Sequence, residues 1–267
     1  MKYCLSSRCT PKYLSQIDEI KVEWRDRDSI LDLINTYQSA TIILMCEEEI
    51  NQEIEEINIL NRAAAGRLIC CLRSLNAAPV LKSHNIRFYW GFPCETHYEL
   101  HALKEMGVCY VRLGAGLFFD MNYVKKIGIP VRATPNVANL AYIPFVSGIP
   151  GTWIRPEDID IYDREGYIDA IEFEDCNTTK EEALFRIYGL EQGWDGPLNE
   201  LFTNFESDAR GCLIHPDVAE ARLNCRQKCQ REGNCQICYR AMRLANKDIW
   251  EKIKAQFNVQ KEKIENN

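Results

Sequence analysis

The sequence predicts an α/β protein, a (β/α)8 TIM-like barrel with a small cysteine-rich helical C-terminal extension. Eight short apolar runs alternate with stretches of helical character over residues 1–193, and that alternation is typical of a barrel of parallel strands. No G-x-G-x-x-G follows the first run, so an open dinucleotide-binding sheet, the competing arrangement, loses its main support. Five of the cysteines lie beyond residue 194, where the alternation stops.

The predicted strands share a dense content of β-branched, aromatic and other apolar residues. Several are apolar at nearly every position, as strands are when both of their faces are covered. The predicted strands are residues 2–6, 19–24, 40–46, 68–72, 86–91, 108–114, 129–134 and 168–174.

Five helices are predicted between the strands from apolar spacing and capping residues. Asp28 is the expected N-cap of the first, and Gly107 and Gly128 are the expected C-caps of the third and fourth. Thr178 or Thr179 opens a capping box for the last. The predicted helices are residues 29–37, 47–62, 95–106, 118–127 and 181–192.

The seventh connection differs from the others in length and composition. Residues 135–166 carry four prolines and three glycines, and long loops of this kind are often functional lids in barrels. After residue 193 the strand–helix alternation stops, and the sequence predicts a loop, the clustered cysteines and a final helix. We therefore predict two domains, the barrel at 1–193 and a cysteine-rich, metal-binding helical extension at 194–267.

The charge of the chain limits its partners. The net charge is -7 with a pI of about 5.3, which argues against a uniform nucleic-acid-binding surface. Residues 207–267 nevertheless carry 12 Lys and Arg against 8 Asp and Glu. This basic C-terminal extension predicts contact with RNA or an acidic protein partner, or else a solvated helical tail.

The compartment is predicted from the N-terminus and the apolar runs. The first residues, MKYCLSSRCTPKY, lack the apolar core of a secretory signal. No apolar run reaches the ~20 residues that cross a bilayer. We expect a cytoplasmic protein in a reducing compartment, where its 13 cysteines are a poor match for a disulfide framework.

Four of the cysteines have the spacing of a metal site. Cys225, Cys229, Cys235 and Cys238 read C-x3-C-x5-C-x2-C, and a turn at Gly233 lets the two pairs converge. Four thiolates fit either tetrahedral zinc or a [4Fe–4S] cluster, and spacing alone does not choose between them.

Other cysteines have different expected roles. Cys212, with His215 close by, is a second-rank ligand candidate. Cys70, Cys71 and Cys109 lie in apolar runs and are expected to behave as small core residues.

Charged residues mark the predicted active site, because chemistry in such barrels sits at the carboxyl-terminal strand ends. Two arginines interrupt apolar strands, and a buried arginine needs an acidic partner such as Glu172 or Glu174. The arrangement indicates an anion-binding or acid–base pocket under the 135–166 lid; a structural salt-bridge network is the alternative. The predicted catalytic residues are Arg112, Arg132, Glu172 and Glu174, and the predicted substrate-binding residues are Glu23, Arg25, Asn136 and Arg155.

Three stretches of the chain resemble the U32 peptidase family. Residues 91–138 follow that family's order of helix, GV, strand, helix and IPV strand, and residues 153–188 include IRPEDIDIYDREGYIDAIEFED. Cys225-Arg-Gln-Lys-Cys229 is similar to the family's C-A-Q-P-C. The chain departs from the family where Glu172 replaces a lysine, and where residues 134–151 lack its cysteines.

The resemblance implies a TIM-like barrel, often with a [4Fe–4S] cluster, and roles such as oxygen-independent hydroxylation of RNA bases or small molecules. The first functional hypothesis is therefore a U32-like enzyme that modifies RNA or a small molecule. The second is a non-catalytic barrel stapled by zinc, which acts as a structural or partner-binding protein.

Overall fold

The computed structural model describes residues 1–24, 26–46, 50–118, 120–135, 154, 156–173 and 178–189. Within these residues, nine strands form one sheet in which all neighbours are parallel, in the order β5-β4-β3-β2-β1-β9-β8-β7-β6. The strands are β1 (Lys2–Ser6), β2 (Glu19–Glu23), β3 (Thr41–Cys46), β4 (Leu68–Leu72), β5 (Arg87–Trp90), β6 (Pro93–Cys94), β7 (Val111–Leu113), β8 (Val131–Ala133) and β9 (Ala170–Glu172).

The two outermost strands occupy one barrel position. β5 pairs with β4. β6 begins after two intervening residues, Gly91 and Phe92, and pairs with β7. The Cys109 amide, just before β7, donates to the Phe88 carbonyl of β5 at 2.9 Å. The sheet thus closes with eight strand positions, and the predicted (β/α)8 barrel is confirmed.

Helices follow the strands and cover the outside of the barrel. α5 has the expected glycine cap: Gly107 is left-handed, with φ 83°, and its amide donates to two carbonyls of the helix. Its start is fixed by a capping box between Thr96 and Glu99. The helices are α1 (Pro11–Leu14), α2 (Arg27–Thr36), α3 (Ile50–Ala63), α4 (Ala78–Ser83), α5 (His97–Met106), α6 (Ala115–Phe118), α7 (Met121–Ile127), α8 (Ile159–Arg164) and α9 (Thr178–Tyr188).

Several predicted helix boundaries were wrong. α2 begins two residues early, because Asp26 rather than Asp28 caps it: the Ser29 amide donates to Asp26 Oδ1 at 2.8 Å. The predicted 118–127 helix is two helices, α6 and α7. α9 already includes Thr178 and Thr179, so these threonines lie inside its first turn rather than before it.

The predicted 135–166 loop is partly helical. Residues 156–158 form a 3-10 turn that leads directly into α8, whose Ile159 and Tyr162 are buried. These apolar anchors on a helical period explain the difference, since they give the segment a face to bury. Residues 136–153, the rest of the predicted lid, and the predicted domain boundary near 194 lie outside the described residues.

Two apolar clusters form the core. The larger lies between the sheet and the helices and includes Ile20, Leu44 and Leu60. The smaller lies within the barrel lumen and consists of Cys4, Ile43, Ile69, Cys71, Tyr89 and Tyr110. None of the helices in the described residues combines the length and apolar character of a membrane span.

Candidate active site

Strand β2 brings charge into the lumen. Its sequence, EIKVE, alternates: Ile20 and Val22 pack in the outer cluster, and because successive side chains of a strand point to opposite faces, Glu19, Lys21 and Glu23 point inward. Glu19 is fully buried, Lys21 is half-buried and Glu23 is exposed at the carboxyl-terminal end. The exposure of these side chains to solvent therefore increases along the strand, from Glu19 inside the lumen to Glu23 at its mouth.

Arg132 of β8 is the centre of the buried charge. Its guanidinium forms ion pairs with two fully buried carboxylates, Glu19 through Nη2 and Glu172 through Nη1, the latter at 3.4 Å. Its Cζ lies 4.9 Å from the Tyr89 ring centre and 4.8 Å from that of Tyr110, within cation–π distance. The guanidinium is thus held by two carboxylates and two aromatic rings.

The protonation of Arg132 is fixed by these neighbours. Burial by itself lowers the pKa of Arg132, but the negative charges of Glu172 and Glu19 oppose it, and the pKa lies well above its ordinary value. Arg132 is therefore a permanent cation, since even an unperturbed arginine stays charged. It acts as an electrostatic anchor, not as a proton donor.

Lys21 lies on the mouth side of Arg132. Its Nζ is 3.3 Å from Glu172 Oε1, and its side chain is 13% exposed. Glu172 therefore divides its two oxygens between a buried arginine and a lysine close to solvent. The Glu172 carboxylate thus connects the buried guanidinium of Arg132 with the ammonium of Lys21 near the mouth.

The network also extends toward the amino-terminal rim. Tyr110 donates from its hydroxyl to Glu19 Oε1 at 3.3 Å, and the Lys2 ammonium donates to that hydroxyl at 3.2 Å. Burial and the charge of Glu19 raise the pKa of Tyr110. A continuous ladder thus runs along the barrel from Lys2 through Tyr110, Glu19, Arg132 and Glu172 to Lys21.

Tyr89, like the Nε of Arg132, has a buried polar atom without a hydrogen-bond partner among the described residues. This atom is its hydroxyl, which is fully buried. Burial, and next the charge of Glu172, raise the pKa of Tyr89 well above its ordinary value, so the hydroxyl keeps its proton. An unpartnered buried hydroxyl costs free energy, which makes this atom a candidate contact for a small bound molecule.

A further acid lies beside the mouth. Glu181 of α9 is buried, accepts from the Ser6 amide at 3.0 Å and lies 3.4 Å from Cys9 Sγ. Burial raises the pKa of Glu181, while the Ser6 hydrogen bond and the charge of Lys21 oppose that shift. Glu181 thus ties the end of β1 to α9 and places a second carboxyl group near Lys21.

The rim next to β7 carries Arg112 and an interrupted strand. Arg112 pairs with Arg132 in register, so it points to the same face, and its Nη1 donates to the Gly91 carbonyl. A Cβ on Gly91 would lie 2.8 Å from Cys71 Sγ, so only glycine fits the break between β5 and β6. Phe92, beside it, is 49% exposed and lies 5.8 Å from Trp90, centre to centre.

The predicted site residues fall into three groups. Arg132 and Glu172 are brought together, and Arg112 lies on the same lumen face. Glu23 lies at the rim, 61% exposed and paired with Arg8. The remaining predicted residues lie outside the described residues; they are Arg25, Asn136, Arg155, Glu174 and the metal-ligand candidates Cys225, Cys229, Cys235 and Cys238.

The described cysteines are chemically quiet. Burial raises the pKa of Cys94 to about 12 and that of Cys109 to about 11, and that of Cys4 also lies well above its ordinary value. These groups are therefore thiols and not the thiolates that bind metals or attack substrates. In the described part of the chain, no three His, Cys, Asp or Glu side chains are arranged to hold a metal ion. Cys70 and Cys71 are buried as predicted.

The sequence analysis missed Glu19, Lys21, Tyr110 and Glu181. For β2 a signal was present, because EIKVE alternates polar and apolar residues and such a pattern in a barrel strand places polar groups inside. Tyr110 gave no such signal, since tyrosine is common in strands on either face.

Comparisons with known proteins find no family match and only distant structural similarities. No protein-family model matches this chain, and no curated protein matches it. Solved structures similar to it include a native KDPGal structure (TM-score 0.43, 13% identity, covering 71% of this chain and 94% of the other). A 3-keto-L-gulonate-6-phosphate decarboxylase from Vibrio cholerae O1 biovar El Tor has a TM-score of 0.40 at 13% identity, covering 73% of this chain and 100% of the other. Because these TM-scores are below 0.5, neither similarity bears on activity, and the barrel rests on the strand topology.

Proposed function

We propose that this chain is a U32-like (β/α)8-barrel enzyme that binds a small anionic substrate at the carboxyl-terminal mouth of its barrel. Its reaction is modification of a small molecule or an RNA base, of the oxygen-independent hydroxylation type that the family resemblance implies. Cys225, Cys229, Cys235 and Cys238 carry its metal centre, [4Fe–4S] or zinc.

One observation carries the pocket: beside its apolar cluster, the lumen holds a charged ladder, where barrels ordinarily place branched apolar residues. A buried ion pair stabilises a fold no better than well-packed apolar residues do. The retained charge of Arg132, Glu172 and Glu19 therefore supports a functional role over a purely structural one.

The sign of the charge supports an anion. Lys21 reaches the mouth with an ammonium group, and Arg112 lies on the same lumen face with partial exposure. Their carboxylate neighbours inside the barrel, Glu19 and Glu172, are already paired with Arg132. At the rim, Glu23 is paired with Arg8, so Lys21 and Arg112 are available to attract a carboxylate or phosphate group that enters from the mouth.

The metal centre rests on the donor set itself. Four thiolates in two closely spaced pairs satisfy the coordination of zinc and of a [4Fe–4S] cluster equally. When bound, a cluster supplies electron transfer and zinc supplies structural support. Burial raises the pKa of Cys4 and of Cys109 in the barrel, so these two are thiols, the form that binds metals poorly.

Calorimetric titration of the full-length protein with phosphate, citrate and pyruvate tests the pocket. Arg112→Gln is expected to weaken anion binding about tenfold, the loss of roughly one charge-assisted hydrogen bond. Arg87→Gln is the matched control, because Arg87 is exposed at the opposite end of its strand and donates to the Gly66 carbonyl. Equal affinity of both variants for all three anions would overturn the proposal.

Metal analysis and absorbance of anaerobically purified protein test the centre. A broad band near ~400 nm with bound iron indicates the cluster, and colourless protein with one zinc indicates zinc. Cys229→Ser is expected to lose the metal in either case, and unchanged metal content would exclude the quartet. Zinc together with no anion binding would favour the non-catalytic barrel.

A further inference from the structure

Lys21 combines three properties that a salt bridge alone does not require. It lies inside the barrel on β2, its side chain is 13% exposed, and its Nζ lies 3.3 Å from a carboxylate that is fully buried. Lys2, at the other end of the ladder, is exposed at the amino-terminal rim. The primary amine at the chemically active end of the barrel is thus shielded but reachable.

Two acids face this amine from different elements. Glu172 of β9 is its ion-pair partner, and Glu181 of α9 is close enough for the charge of Lys21 to affect its protonation. Glu172 also binds Arg132 through its other oxygen, so this carboxylate is held in place while its proton-accepting edge faces Lys21. A positioned acid–base group beside an amine is the arrangement that carbonyl–amine chemistry needs.

The lumen also offers an unsatisfied hydroxyl. Tyr89 has a fully buried hydroxyl with no hydrogen-bond partner among the described residues, and its ring lies against Arg132, 4.9 Å from Cζ. The charge of Glu172 acts on this hydroxyl. A donor of this kind at the inner end of the pocket suits a carbonyl oxygen or the water that replaces it.

We propose that Lys21 is a covalent nucleophile that forms an imine with the carbonyl group of a small anionic substrate of the 2-oxo acid class. The proposal rests on the anion-binding pocket described above and is independent of the metal centre. Lys21 supplies the nitrogen, Glu172 moves the protons, and Tyr89 donates to the carbonyl oxygen.

The step needs no oxidant or reductant. Glu172 first takes one proton from the Lys21 ammonium. The resulting neutral amine attacks the carbonyl carbon, a C–N bond forms, and the carbonyl π electrons move to oxygen. Glu172 passes its proton to that oxygen and then carries a second proton from the nitrogen to it, and the oxygen leaves as water while the C=N bond forms. Ammonium and carbonyl are thereby converted to a protonated imine and water.

Borohydride trapping tests the proposal. Full-length protein is incubated with pyruvate, reduced with borohydride, and examined by intact mass and peptide mapping; hydroxyacetone serves as the uncharged carbonyl probe. We expect one reduced pyruvate adduct per chain, on Lys21, and much less adduct from hydroxyacetone. Lys21→Arg, which keeps the positive charge but cannot form an imine, is expected to abolish the adduct.

Lys12→Arg is the control, because Lys12 is an exposed lysine of α1 outside the pocket; its adduct should equal that of the unmodified sequence. Thermal unfolding of Lys21→Arg verifies that it folds. An adduct that survives in folded Lys21→Arg overturns the proposal. If pyruvate raises the melting temperature but leaves no adduct, the imine is wrong and the anion pocket stands; if it does neither, both are wrong.

Discussion

The inner and outer faces of the same sheet are built on opposite principles. Outside the strands, apolar residues such as Ile42 and Leu44 pack against the helices. Inside, the strands enclose a fully buried arginine, two fully buried carboxylates and a lysine whose side chain is 13% exposed. The outer face accounts for folding through burial of apolar surface. Burying charged groups on the inner face costs desolvation free energy, which only close pairing with opposite charges offsets. Folding alone therefore does not explain the composition of the inner face.

The largest effect is expected when the inner face loses its cation. Arg132→Met leaves Glu19 and Glu172 buried without their common partner and is expected to lower the free energy of unfolding by about 3–5 kcal/mol. Urea denaturation followed by circular dichroism measures the loss. Adding Glu19→Gln and Glu172→Gln to Arg132→Met should restore part of it, because no fully buried carboxylate is then left without its arginine. A loss below ~1 kcal/mol for the single variant would mean that the lumen is more hydrated than its burial indicates.

A slightly smaller effect is expected on the outer face. Ile42→Ala deletes a fully buried side chain between β3 and the helices and should cost about 2–4 kcal/mol through lost transfer free energy and a residual cavity. Anion affinity, measured by the same calorimetric titration, should stay unchanged, because Ile42 points away from the lumen. A loss of affinity in a protein that is still folded would show that the two faces are coupled.

The two faces also differ in how far the sequence predicts them. The outer face follows from apolar density, so all eight strand positions and the burial of Cys70 could be predicted. On the inner face, the pairing of Arg132 with Glu172 could be predicted, because a buried arginine in an apolar run requires an acidic partner.

What could not be predicted depends on three-dimensional closure. Glu19 reaches Arg132 across 113 residues of sequence, and which strands stand opposite one another follows only from the completed barrel. Tyr89 lies against Arg132 and Tyr110 in the lumen, and only the closed barrel brings these three residues together. The sequence also could not show that Asp26 rather than Asp28 caps α2, since both residues suit an N-cap.

The stability of the protein is expected to depend on pH through Glu181, which ties α9 to the end of β1. Glu181 has a folded-state pKa raised above 4.5 by burial, so the folded protein binds its proton more tightly than the unfolded chain does. The stability that this group contributes is full below pH 4.5 and falls as pH rises through the raised value. Unfolding of Glu181→Gln and the parent across pH 4 to 7 should show the parent losing stability relative to the variant as pH rises. A relative gain with rising pH would mean that the Ser6 hydrogen bond dominates over burial.

The smallest effects on stability are expected from removing the hydroxyl groups of the two lumen tyrosines, Tyr110 and Tyr89, and the two removals should have different effects. Tyr110→Phe removes a hydroxyl that donates to Glu19 and accepts from Lys2, and should cost about 1 kcal/mol. Tyr89→Phe removes a hydroxyl with no partner among the described residues, and should leave the stability of the ligand-free protein unchanged or raise it by about 1 kcal/mol. The same substitution should nonetheless weaken pyruvate binding, because the hydroxyl finds its partner only in the complex. Equal losses of stability from both tyrosines would mean that Tyr89 is already satisfied in the free protein, by an ordered water or by a residue beyond those described, and its role in the pocket would then be structural.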